Sequence, residues 1–302
     1  MAIVIFLVKM KVRKPAVVYM LNLAIADVLL ISVLPFYIVY RFLGSNWLIG
    51  EGMCRFVTSA FYCNMYCSVL LMTSISVDRF LAVVYPVWSL SWRKVNRAWL
   101  VCGVIWVISL ASTVPLLIRE QSRLFPMLDN TMCHDIQHFG AYFFFNFQYF
   151  CTVFSLFNFL PLFITTFCYI GIIRSLSRSK FNRTHKRSRA IRLTVVVLSV
   201  FVLCFGPTNV IYLIHYTRVI DNYDFSLYIA YILSSSISSI NCSLDPLIYY
   251  FASSECQKYV YSFLRWKKDY RSRVEERLTP EHKEESIEKM YSVQFTKSGF
   301  VI

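Results

Sequence analysis

Residues 16–40 read AVVYMLNLAIADVLLISVLPFYIVY, and Asp27 is the only charge among them. An α-helix rises ~1.5 Å per residue, so a stretch of this length crosses the ~30 Å hydrocarbon layer of a bilayer with residues to spare. Five further apolar segments meet the same test: Gly52–Val77, Ala98–Ile118, Ala141–Ile173, Ala190–Ile214 and Phe225–Phe251. A seventh, Met1–Val8, is too short to cross and lacks the basic start and small-residue cleavage site of a signal peptide. It reads as the inner half of a helix whose first half precedes it, so the chain is expected to be truncated at its N-terminus. The expected fold class is an all-α membrane protein, a seven-transmembrane helix bundle with its first helix only partly present.

Composition agrees. The chain of 302 residues is 57% hydrophobic and 16% charged, against roughly a quarter charged in ordinary soluble domains. Disorder over most of the chain and a soluble enzyme with one core are excluded on that ground. The net charge of +14 is not spread as a nucleic-acid surface would need. It gathers in alternate connections: Lys9, Lys11, Arg13 and Lys14; Arg79, Arg93, Lys94 and Arg97; and Arg174 to Arg192, which holds eight Lys or Arg and no acid. The positive-inside rule puts these in the cytoplasm, the start of the chain outside and its tail inside. Three parts follow: a receptor-sized bundle over 1–251, a membrane-surface amphipathic helix over 252–265, and a cytoplasmic tail over 266–302, expected to be disordered.

Some residues do not belong in lipid. Asp27 and Asp245 fall within spans, where an ionisable group marks a functional site by default. Ser68, Asn241 and Ser243 can add oxygens nearby. Two carboxylates in one dry cavity must share a proton or hold a cation, and a sodium-sized hard cation suits oxygen ligands. A hydrogen-bonded network that only locks helix packing is the equal alternative. At the inner end of span three, Arg79 of Asp78-Arg79-Phe80 is read as a snorkelling interfacial charge, or as a guanidinium held by Asp78 and released to a partner. Of ten cysteines, only Cys54 and Cys133 fall on extracellular stretches, so they are expected to form a disulfide that pins the second outer loop over the bundle mouth. Pro35, Pro115, Pro161, Pro207 and Pro246 lie inside spans and each is expected to invite a kink, those near the middle of spans five, six and seven giving places where a helix could swing.

These residues together resemble the rhodopsin-like G-protein-coupled receptors. The motifs are Leu23-Ala-Ile-Ala-Asp27, Cys54, Asp78-Arg79-Phe80, Trp106, Pro161, Tyr169, Phe205-Gly-Pro207 and Asp245-Pro-Leu-Ile-Tyr249. Their order and spacing cover nearly the whole chain. Phe61-Tyr-Cys-Asn-Met-Tyr66, Cys133-His-Asp135, Phe205-Gly-Pro-Thr-Asn209, His215-Tyr216 and Asp245-Pro-Leu-Ile-Tyr-Tyr250 narrow the resemblance to the protease-activated, thrombin-receptor group. Phe205 and Asp245, where many relatives carry Trp and Asn, are usual for that group. Arg265-Trp266 stands where it would carry a palmitoylated cysteine pair.

The resemblance implies activation by an extracellular serine protease that unmasks a tethered peptide agonist. It implies coupling to heterotrimeric G proteins of the Gq and Gi type, calcium release, and a plasma-membrane location, with arrestin and receptor kinases as further partners. It carries an agonist site onto Tyr62, Tyr66, His134, Asp135, His215, Tyr216, Tyr228 and Tyr231, and a switch onto Asp78, Arg79, Tyr169, Phe205, Pro207 and Tyr249. No cofactor is expected beyond a sodium ion at Asp27, Ser68, Asn241 and Asp245. Membrane lipid is a partner and nucleic acid is not. An enzyme is not expected: the sequence holds no Gly-rich phosphate loop, no metal-ligand cluster and no nucleophile–base set. Residues 225–251 contain no lysine, which excludes a Schiff-base photoreceptor. The alternative is a rhodopsin-like receptor for a diffusible peptide or nucleotide, with an ion-coupled transporter behind it.

Overall fold

A computed structural model describes residues 14–125, 130–134, 152–153, 155–178, 192, 195–208, 210–211, 214, 225–252, 257, 261–262 and 265. Met1–Val8, most of the basic 174–192 stretch and the tail beyond 265 lie outside the described residues, so the readings made on them have no structural counterpart. Residues 1–252 form one compact unit and 253–302 another. In the second unit Gln257, Tyr261, Ser262 and Arg265 are helical.

Helix α1 (Pro15–Phe42) opens on Pro15, behind an extended Lys14. The missing N–H of proline costs nothing in the first turn, and its fixed φ suits a helix start. The helix ends where Gly44 takes φ 68°, a left-handed conformation glycine adopts without a Cβ clash, and Ser45 N donates back to Tyr40 O at 3.1 Å. Helix α2 (Glu51–Val84) is the longest at 34 residues. It packs against α1, against α4 (Val95–Ile118) and against α5 (Leu160–Arg178). No residue from Val57 to Val84 is exposed, so this helix has no lipid face and tolerates Thr58, Ser59, Asn64, Ser68, Thr73 and Ser76 along it. Thr73, Ser74 and Ser76 return their hydroxyls to carbonyls one turn back. Helix α4 is the opposite case. Leu100, Val104, Val107 and Leu110 are all at least half exposed, as a helix on the lipid side of a bundle must be.

Among the described residues, Pro15–Phe42, Glu51–Val84, Val95–Ile118 and Leu156–Leu176 are long and apolar enough to cross a membrane. A shorter apolar helix, α6, covers Val195–Thr208. A short helix, α3 (Pro86–Trp92), links α2 to α4. The expected seventh span is not one helix. It divides at Ile240 into α7 (Phe225–Ser239) and α8 (Asn241–Ala252). Ser243 N and Leu244 N both turn to Ile240 O, at 2.9 and 3.2 Å, and the Cys242 thiol donates to the Ser239 carbonyl left over, at 3.1 Å.

The other prolines act in two ways. Single π turns lie at Ser155–Phe159 and Phe201–Phe205, just ahead of Pro161 and Pro207. Each contains the carbonyl four residues before its proline, the group that loses its donor and meets the ring. At Pro35, Pro115 and Pro246, where the sequence also suggested kinks, the helix runs on.

Among the described residues, the strands lie in the loop between α4 and α5. Strands β1 (Ser122–Phe125) and β2 (Asn130–Cys133) pair antiparallel, with Ser122 opposite Cys133 and Phe125 opposite Asn130. Both strands are tethered. Cys133 is disulfide-bonded to Cys54 of α2, with Cα atoms 5.8 Å apart, as the sequence reading expected. Glu51 accepts from Gln121 N and Ser122 N, each at 2.7 Å, and from the Ser122 hydroxyl. Arg55 completes the corner: Nε pairs with Glu51 at 2.6 Å, and Nη1 reaches Ile118 O at 3.2 Å at the end of α4, where a cation meets the negative helix terminus. Trp47 N donates to Thr131 O at 2.7 Å, and Asn46 Oδ1 accepts from Thr131 N at 3.1 Å, so the first outer connection covers the free side of β2.

At the other end, the Phe80 ring lies directly on the backbone of Gly171 in α5, occupying the space a Cβ would need. It also meets Phe167 and Tyr85, with ring centroids 5.6 and 5.9 Å away. Gly171→Ala is expected to destabilise the folded protein by ~1–3 kcal/mol through overpacking at this contact. The check is the thermal midpoint in detergent, compared with Gly103→Ala, whose added Cβ meets nothing.

Candidate functional site

A cavity of about 470 Å³ opens between α1, α2, α7 and the hairpin. Tyr37, Phe61, Tyr62 and Tyr231 give it aromatic walls, Arg41 a cation and Ser235 and Ser239 hydroxyls; Cys133 and His134 also line it. His134 is the hinge of this arrangement. It has φ 62° and is buried, and its main-chain N–H donates to Gln121 O at 2.7 Å. Its Nδ1 lies 2.7 Å from Gln121 Oε1, which can only accept, so Nδ1 carries the proton. In the neutral ring Nε2 then accepts from the Tyr62 hydroxyl at 3.0 Å. The disulfide positions this residue, because His134 follows Cys133 directly.

Of the eight residues expected at the agonist site, the structure brings Tyr62, His134 and Tyr231 to the cavity. Tyr66 lies one turn deeper, stacked on Phe157 at 4.4 Å and packed with Leu116 and Val153. It meets the cavity wall through Tyr62, ring centroids 6.0 Å apart. Asp135, His215 and Tyr216 lie outside the described residues, and only the main chain of Tyr228 is described. The sequence reading missed Tyr37, Arg41, Gln121 and Glu51. A lone acid beside an otherwise apolar span end was the one available sign for Glu51.

The second cluster lies deeper. Asp27 of α1 and Asp245 of α8 lie near enough for each carboxylate to feel the other's charge, and both are buried. Ser68 Oγ, Asn241 Oδ1 and both Asp245 carboxylate oxygens are buried with no hydrogen-bond partner among the described residues. A set of oxygen acceptors in a dry site fits a hard monovalent cation or a shared proton. No three His, Cys, Asp or Glu side chains converge among the described residues, so this donor set does not fit zinc.

At the end of α2 away from the disulfide, Asp78 is held from a direction the sequence did not suggest. Arg93 Nε donates to its Oδ1 at 2.7 Å and Nη2 to its Oδ2 at 2.9 Å. Phe205 is buried within the π turn against Phe201, at 5.7 Å. Thr208 ties α6 to α7 by donating to Ser234 O at 2.7 Å. Tyr169 is half-buried on α5, Pro207 is exposed, and Tyr249 is described in its main chain only. Trp106 of α4 donates to Asn22 of α1 at 3.1 Å, a packing bond remote from either site.

Tyr62→Phe should remove the hydroxyl 3.0 Å from the buried His134 Nε2, at a cost of ~1–3 kcal/mol. The expected outcome is faster backbone hydrogen exchange over residues 121–134, with the α2 amides unchanged.

The chain matches the family described as 7 transmembrane receptor (rhodopsin family) over residues 1–249. It is 60% identical over 268 residues to proteinase-activated receptor 1 of Xenopus laevis, covering 89% of this chain and 63% of that protein. It is 54% identical over 271 residues to proteinase-activated receptor 1 of Homo sapiens, covering 87% and 62%. With human proteinase-activated receptor 2 the identity is 37% over 257 residues, covering 84% and 64%. The chain thus spans somewhat under two thirds of the length of these relatives. Family membership and the apolar helices make it a multi-pass membrane protein of a receptor family, not of an enzyme family. The chain belongs to the rhodopsin family of seven-transmembrane receptors.

Proposed function

We propose that this chain is the membrane core of a protease-activated receptor. The observation that carries the reading is the outer cavity, roofed by a hairpin fastened at both strands and walled by aromatic rings with His134 at its edge. Similarity to the proteinase-activated receptors supports it. A peptide end freed by an extracellular serine protease folds back into this mouth. Its new ammonium meets Asp135, and the rings of Tyr62, Tyr66, His215, Tyr216, Tyr228 and Tyr231 take its cationic or apolar side chains. The bound peptide favours the active state only by its differential affinity for it. Span six swings at Phe205 and Pro207, and Asp78, Arg79, Tyr169 and Tyr249 rearrange to admit a heterotrimeric G protein of the Gq or Gi type, leading to calcium release.

The receptor lies in the plasma membrane with its N-terminal side outside and its C-terminal side in the cytoplasm. Residues 1–251 form the bundle, 252–265 lie on the membrane surface, and the tail over 266–302 offers sites to receptor kinases and arrestin. The basic 174–192 stretch meets anionic lipid or the G protein. A sodium ion held by Asp27, Ser68, Asn241 and Asp245 favours the inactive state, because closing helices collapses its cavity.

Two experiments test this. The chain is grafted behind a protease-cleavable extracellular segment of the Xenopus relative and expressed in cells without related receptors. Thrombin should release calcium, and neutralising the cleavage residue should abolish that response while a free peptide still acts. No response to protease, with a response to free peptide, would make this a receptor for a diffusible ligand. For the cation, Asp27→Asn should remove the difference in basal G-protein activation between sodium and choline buffers. An undiminished difference in Asp27→Asn would exclude the ion site.

A further inference from the structure

The roof of the outer cavity is held by more than its disulfide. Glu51 forks two successive main-chain amides: Oε1 accepts from Gln121 N and Oε2 from Ser122 N, each at 2.7 Å, and Oε2 also accepts from the Ser122 hydroxyl. Arg55 Nε donates to the same Oε1 at 2.6 Å. Hydrogen bonds to an ionised acceptor are about twice as strong as neutral ones. The residue fixed in this way meets the imidazole twice. Gln121 O accepts from His134 N at 2.7 Å, and Gln121 Oε1 takes the Nδ1 proton at 2.7 Å. Gln121 Nε2 donates back to Leu116 O at 3.2 Å, so the amide turns its oxygen to the ring. Of these residues it is His134 that lines the cavity. The disulfide at Cys133 places the main chain of its neighbour, but χ1 and χ2 of the His134 ring turn independently of that bridge. The aim of the ring and its tautomer are set by the bonds at its nitrogens.

We propose that Glu51 is a positioning residue for agonist binding: its carboxylate, acting through Gln121, fixes the aim and tautomer of the His134 ring at the cavity edge. This rests on the receptor reading above. Glu51→Gln keeps the size of the side chain but sets a carboxamide NH2 against a main-chain N–H, so one arm of the fork is lost and Gln121 shifts from the ring. His134 then samples its other tautomer and other rotamers, and a peptide entering the cavity must order it on binding. A carboxylate that only holds the hairpin in place predicts a loss of binding that does not depend on His134.

The test uses the full chain in lipid nanodiscs and a fluorescent synthetic peptide copying the protease-exposed N-terminus of the Xenopus relative. Nitrogen NMR of isotopically labelled histidine reports the ring tautomer, the His134 signal being assigned by its loss in His134→Gln, and melting temperature serves as the folding control. Glu51→Gln should weaken the peptide roughly five- to tenfold, within the ordinary range of coupling between sites, and turn the His134 signal from the Nδ1-protonated form to a mixture. Added to His134→Gln, the same substitution should change the affinity by less than about twofold, because residues that act as one unit are not additive. Should Glu51→Gln fail to fold, Glu51→Asp, which keeps the charge but is too short to fork both amides, takes its place in the same comparison. Unchanged affinity or an unchanged His134 signal in the single variant, or full additivity in the double variant, would overturn the role of Glu51 while leaving the receptor reading intact. A wild-type chain that binds no peptide would remove the receptor reading and this inference with it.

Discussion

Helix α2 is surrounded by protein from Val57 to its end, and the rest of the structure depends on that burial. A helix inside a bundle can carry serines, threonines and an aspartate that a lipid-facing helix cannot, provided each polar group finds a partner within the protein. The hydroxyls of Thr73, Ser74 and Ser76 are answered by its own carbonyls and Asp78 by Arg93, while those of Ser59 and Ser68 find no partner among the described residues. The same helix therefore runs from the cavity to the Asp78–Arg93 pair. Cys54, Tyr62 and Asp78 are points along one rigid element, while α1, α4 and α5 pack around it.

The two ends of α2 are fastened by different chemistry. Outside, a covalent bridge and a carboxylate hold a hairpin. The disulfide fixes β2, and Glu51 fixes β1 through successive main-chain amides. Neither would suffice alone, since a two-stranded hairpin is marginal in water. At the other end, an ion pair joins Asp78 to Arg93.

The irregular backbone follows a related logic. The π turns at Ser155–Phe159 and Phe201–Phe205 and the break at Ile240 lie in the segments assigned to spans five, six and seven. Helices α1, α2 and α4 run on without such interruption. Proline alone does not make the difference, since Pro35 and Pro115 are carried within regular helices. Each π turn contains the carbonyl that its proline deprives of a donor, and the widened turn accommodates the ring. The bundle is thus regular on one side and adjustable on the other.

Much of this was written in the sequence. Long runs of apolar residues force helices in a bilayer, because every backbone group must be satisfied within the segment. Lys and Arg placement orients them, and two extracellular cysteines have only each other as partners. These rules are local or depend on a compartment, so a single sequence expresses them. The break of span seven at Ile240, the hairpin, the burial of Tyr66 against Phe157 and the direction from which Asp78 is gripped are different. Each depends on which side chain from a distant segment arrives at a given helix face. Glu51 and Gln121, like Asp78 and Arg93, read as ordinary charged or polar residues until tertiary packing sets them within hydrogen-bond distance. That distance is decided by how helices cross and strands pair, which only the folded chain fixes.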